Sequence, residues 1–143
     1  MITYVREGVG RMVIMNLERG EMLLETIREE LARLEIRNAV ITSAIGSLSK
    51  VELHRVTGFT REPVDEFITF EAPIELSSLQ GYVLDGHPHF HMVVSDLEKT
   101  YTGHLEEGTE VLYLAEVSLL EIVNPGLKRV KDENNIAKLR PIE

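Results

Sequence analysis

Apolar residues alternate with polar ones along most of this chain, and only one stretch departs from that rhythm. Over residues 21–34, Leu23, Leu24, Ile27, Leu31 and Leu34 recur at three- and four-residue spacing while Glu25, Arg28, Glu29 and Arg33 face away, which predicts an amphipathic helix. Glu21 in the first turn suits the positive end of the helix dipole. Strands are predicted at residues 3–5 (a short edge strand), 11–17 and 39–46, then after a turn at Gly46-Ser47 at 51–56. Residues 58–66, polar and carrying Pro63, read as a loop. Residues 67–70 read as a strand stopped by Ala72-Pro73, and 74–84 as a longer one that Gly81 weakens or bulges. A histidine-bearing strand follows, then a turn at 96–99, a strand over 101–104, a turn at 106–109, and a long apolar strand over 110–123 ended by Asn124-Pro125-Gly126. One helix among many strands joined by short turns argues an α+β fold, a largely antiparallel sheet with the helix across one face. Residues 1–125 read as the domain, and 126–143 as a charged C-terminal extension without clear periodicity, docked or frayed.

Composition narrows the classes. The 143 residues suit one domain with a real core, and the 43% hydrophobic and 27% charged fractions are ordinary for a globular protein. The net charge of −9 is the reverse of a nucleic-acid binder's balance. No cysteine is present, which excludes disulfides, thiolate catalysis and cysteine-ligated zinc. The N-terminus lacks the pattern of a signal peptide, and no apolar run approaches the ~20 residues that span a bilayer. A cytoplasmic location is the expectation.

The chemistry concentrates in Gly86-His87-Pro88-His89-Phe90-His91. Three of the five histidines fall here at every second position, so on an extended strand they share one face. If the chain doubles back between Asp96 and Tyr101, His104 joins them from the neighbouring strand, with Gly103 letting the backbones pack closely. Neutral imidazole is the commonest protein ligand for zinc and related metals, and three histidines with one position open is the donor set of catalytic zinc sites. His89, His91 and His104 are the preferred ligands, with His87, held extended before Pro88, as a flanking or fourth group. His54 stands alone in another strand and reads as a surface or core-edge residue. Asp85, Asp96, Glu106 and Glu107 are candidates to orient an imidazole or act as a general base. Glu75, in an apolar run, faces a partner, a neighbouring subunit or water. Gly81 followed by His87-Pro88-His89 fits the start of a cupin motif, but Val93 and Val94 stand where that motif wants a glutamate ligand. No dinucleotide loop, phosphate loop or Gly-x-Ser-x-Gly elbow is present.

Taken in order, Ile45-Gly46-Ser47-Leu48, Pro73-Ile74-Glu75-Leu76-Ser77-Ser78-Leu79-Gln80-Gly81, Pro88-His89-Phe90-His91, Gly103-His104-Leu105 and Gly108-Thr109 resemble the PPC domain, the "plants and prokaryotes conserved" family. The resemblance covers roughly residues 11–123. It implies an α+β domain of antiparallel strands that assembles as a homotrimer, with a metal, zinc by expectation, at the histidines matching His89, His91 and His104. In plant members an Arg-Phe-Glu pattern serves protein–protein contact; Pro73-Ile74-Glu75 stands in its place here, without the arginine. The plant AT-hook that binds DNA has no counterpart in this chain.

Three functions follow for testing. The leading one is a trimeric zinc-binding domain whose cellular activity and further partners the sequence does not name. A second is a hydrolase using zinc-bound water. The third is a DNA- or transcription-associated module, against which the acidic charge argues.

Overall fold

The computed structural model describes residues 1–5 and 8–142. Its elements run β1 (Val9–Glu18), α1 (Leu23–Arg33), β2 (Ala39–Val56), β3 (Asp65–Leu84), β4 (His87–Ser95), β5 (Thr100–Leu105), β6 (Glu110–Ile122), β7 (Leu127–Lys131) and β8 (Ala137–Pro141). Six strands form one sheet in the order β1-β6-β2-β3-β4-β5, and β5 also pairs with β2. The second contact closes β2, β3, β4 and β5 into a ring from which β6 and β1 extend. Every pairing among the described residues is antiparallel. The α+β architecture with one helix is as the sequence predicts.

The strands close on their apolar sides. Leu48, Val51 and Leu53 of β2, Ile74, Leu76 and Leu79 of β3, Phe90, Met92 and Val94 of β4 and Leu105 of β5 are buried in one cluster. Alternation therefore turns the intervening residues, the histidines among them, to the outer face. Helix α1 adds Leu23, Leu24, Ile27 and Leu31 to the same core.

Several local expectations need correction. Residues 3–5 form no strand. The turn expected at Gly46-Ser47 does not occur, because β2 runs unbroken for 18 residues. Gly46 instead marks a close approach: a Cβ there would lie 2.6 Å from Ala115 Cα of β6. Ala72-Pro73 does not stop β3, which extends over 20 residues and already includes Asp65 and Glu66. The register slips between Leu48↔Ile74 and Lys50↔Glu71, so Pro73 sits in a bulge, where its missing N–H costs no ladder bond. The tail, read as a charged extension without clear periodicity, docked or frayed, forms the hairpin β7–β8.

Strand β2 changes partner along one edge. It pairs with β6 as far as Lys50↔Glu110 and with β5 at Leu53↔Leu105 and His54↔His104. The turn at residues 106–109 bridges the two. Glu52 O accepts from Glu106 N at 3.0 Å and from Thr109 Oγ1 at 3.1 Å, and Glu52 N donates back to Thr109 Oγ1 at 3.0 Å. Thr109 O accepts from Leu23 N at 2.8 Å at the start of α1. Thr109 is fully buried, the one buried polar residue among those described. Thr109→Val, which keeps the shape but strands the Glu52 N–H, is expected to lower stability by about 1–3 kcal/mol in urea unfolding; an unchanged midpoint would show that the turn is held by other contacts.

Candidate metal centre

The outer face of the ring carries a row of imidazoles. Cross-strand pairing aligns His54 with His104 and His104 with His91, while His89 lies two residues from His91 on the same face of β4. The expected doubling back after Asp96 is present, and His104 faces the histidine strand from β5.

Two glycines let the backbones meet around this row. A Cβ on Gly103 would lie 2.6 Å from His54 O and 2.8 Å from Leu53 Cδ1. On the other side of β4, a Cβ on Gly81 would lie 3.0 Å from the His89 carbonyl carbon and 3.1 Å from Phe90 Cα. Neither site tolerates a side chain without moving a strand.

His89, His91 and His104 place their ligating atoms within 4.8 Å of one another. His89 Nε2 and His91 Nε2 are 3.3 Å apart. Zinc–nitrogen bonds of tetrahedral geometry set ligand nitrogens about 3.3–3.4 Å apart, so this pair already has the spacing of two zinc ligands. The His104 ring stands edge-on to both, with centroids 4.8 Å from His89 and 5.4 Å from His91. Burial, followed by the charges of His89, His54, His91 and Arg129, pushes the His104 imidazole down to about 4 from its usual 6.5. Burial, then Arg129 and the neighbouring imidazoles, lowers His89 as well. Both rings are therefore neutral at pH 7, the form that ligates metals.

His54 is not alone, contrary to expectation. Its ring stacks on His104 at 4.5 Å, and its Nδ1 lies 2.5 Å from Glu106 Oε1. The cause is the β2–β5 pairing between residues some fifty positions apart. His54, His104 and Glu106 form a second group whose donor atoms lie within 4.8 Å, sharing His104 with the first.

The remaining candidates separate. His87 opens β4, exposed and opposite Leu84, outside both groups. Of the four carboxylates, Glu106 reaches an imidazole. Asp85 pairs with Arg37 at 2.6 Å and Glu107 with Arg28 at 2.6 Å. Asp96 accepts from the Glu98 and Lys99 amides at 2.7 Å within its own turn. Glu75 is exposed. Sequence reading missed Arg129 of β7, which donates from Nη1 to His87 O at 3.0 Å. It lines, with His89 and His91, a groove of about 850 Å³ between the sheet and the tail hairpin. An arginine in a charged tail gave no signal of that placement.

A family model described as the Plants and Prokaryotes Conserved (PCC) domain matches residues 4–123. The chain belongs to this family. Solved structures agree with a PCC fold over nearly the whole length. A plant- and prokaryote-conserved protein from Pyrococcus horikoshii is 26% identical over 100% of this chain and 99% of its own, with a TM-score of 0.81. A metal-containing protein from Archaeoglobus fulgidus is 27% identical, covers 94% of this chain and 95% of its own, and has a TM-score of 0.77. A candidate DNA-binding protein from Bacteroides thetaiotaomicron is 16% identical over 98% and 99%, with a TM-score of 0.78, a likeness of fold alone. No curated protein matches the sequence.

The depressed His104 has a consequence for this PCC domain in its metal-free form. The unfolded chain takes up a proton near pH 6.5 and the folded one near pH 4, so stability is full above pH 6.5 and falls as pH drops between these values. After chelation, wild type is expected to lose melting temperature from pH 6.5 to about 4.5, and His104→Asn to flatten most of that slope. Parallel slopes would mean that the His104 environment does not penalise its proton.

Proposed function

We propose that this PCC domain binds a zinc ion through His89, His91 and His104. The observation that carries the reading is the convergence of three imidazoles from two strands, with the His89–His91 nitrogens at 3.3 Å. The donor set fits: nitrogen ligands suit zinc over calcium or magnesium, and alternate positions on one strand supply two of them without backbone strain. Glu106 already engages His54, which favours the three-histidine set over the His54–His104–Glu106 group. The metal-containing relative from Archaeoglobus fulgidus, at 27% identity, supports it further. Bound there, zinc would supply Lewis acidity and an acidified water. His54, stacked on His104 and bonded to Glu106, would hold that ligand's ring in place.

Untagged protein is expected to contain about one zinc per chain by mass spectrometry of its metals. His89→Ala/His91→Ala should lose it while keeping its circular dichroism, since neither ring belongs to the core. No metal in wild type after zinc incubation and dialysis would overturn the assignment.

The groove beside the histidines favours a second reading, a hydrolase in which the open zinc position acts on a bound substrate. A screen of ester, phosphoester and amide substrates with the zinc-loaded protein tests it. Direct duplex binding is opposed by the net charge of −9.

We also propose a homotrimer. Met12, Ile14, Ile45 and Leu114, at 55%, 79%, 51% and 44% exposure, lie on the outer faces of neighbouring strands β1, β2 and β6, the kind of apolar surface that an assembly covers. Light scattering is expected to give three times the chain mass, and Ile14→Glu to lower it. A monomeric wild type at micromolar concentration would remove the trimer.

A further inference from the structure

Resting on the metal assignment above, we propose that the groove between the histidine row and the tail hairpin receives a small oxyanion, a carboxylate or a phosphate, held by Arg129.

Arg129 differs from the five arginines that hold a carboxylate partner. Arg11, Arg28, Arg33, Arg37 and Arg55 each pair with a carboxylate. Each of those five retains more than two-fifths of its side-chain exposure, where water shares the charge. Arg129 is partly buried, and no carboxylate among the described residues forms an ion pair with it. Among the described residues its one hydrogen bond goes to the His87 carbonyl, which leaves most of a guanidinium's fork of N–H donors unused by them. A desolvated cation without a counter-charge is costly to keep. A guanidinium fork matches the paired oxygens of a carboxylate or phosphate.

The surroundings point the same way. Around Arg129 the groove is lined by His89, His91, Gln80, Tyr82 and Leu139, and none of these carries a negative charge at neutral pH. A divalent ion on the histidines would add to the same positive region. In a protein of net charge −9, this face would be a local anion receptor. Arg129 lies beyond residues 4–123, the segment matched by the family model.

The competing role for Arg129 is a latch that docks the hairpin on β4. Arg129→Gln keeps a donor for the His87 carbonyl but removes the charge. Leu127→Ala loosens the buried base of the hairpin and leaves the charge. Calorimetric titration of zinc-loaded protein with inorganic phosphate and, separately, with succinate is expected to show binding by at least one anion, which tells the two sources apart. Arg129→Gln should weaken it about tenfold or more, as loss of a charge-assisted fork predicts, with zinc content unchanged. Leu127→Ala should keep most of the affinity. Equal affinity in wild type and Arg129→Gln, equal losses in both variants, or no binding of either anion at millimolar concentration would overturn the proposal. Metal content is measured on the same samples. A wild type without zinc fails the metal assignment separately, and the ratio of wild type to Arg129→Gln still decides the anion site.

Discussion

The closure of β5 onto β2 is the contact on which the rest of this structure depends. It spans two residue pairs, Leu53↔Leu105 and His54↔His104, and exists because Gly103 presents no side chain to the β2 backbone. On the inner side it seals Leu53 and Leu105 into the core. On the outer side it sets His54 against His104 and completes the row that begins at His91. One backbone approach thus serves packing and site together. Thr109 fixes its position from the other end, tying Glu52 of β2 to the turn between β5 and β6 and to the first turn of α1.

The period of two in the sheet makes core and site separable. Phe90, Met92 and Val94 fill the interior while His89 and His91 stand outside on the same strand. A side chain lost from the outer row removes little apolar burial, whereas a residue added at Gly81 or Gly103 must displace a strand. The chemistry of the row can therefore vary without the fold, but the glycines beneath it cannot.

The same separation explains what was legible in the sequence. The alternation of His87, His89 and His91 fixes their common face, and a short hairpin brings in His104, so the three converging imidazoles could be read from local pattern. His54 could not. Its partner lies some fifty residues away, and nothing near Val51–Val56 encodes that β2 changes neighbours from β6 to β5 midway along its length. Gly46 and Pro73 misled for a related reason. Both residue types commonly end strands, yet here one permits a close approach and the other sits in a bulge. Long strands absorb such residues when a partner's register slips with them, and register is a property of two segments, not one.

The tail shows how far an outer face can be altered by a terminal hairpin. Residues 127–141 bring no periodic signal and add one buried leucine, Leu127, outside the main core cluster. Their hairpin nevertheless turns an open row of imidazoles into one wall of a groove and sets a partly buried guanidinium beside it. Burial raises the cost of charge on both sides. His89 and His104 respond by staying neutral, their protonated forms disfavoured by burial, but a guanidinium cannot give up its proton at physiological pH. The mismatch between groups that can discharge and one that cannot leaves a positive charge in a recess of an acidic protein. An anion bound in the groove would relieve it.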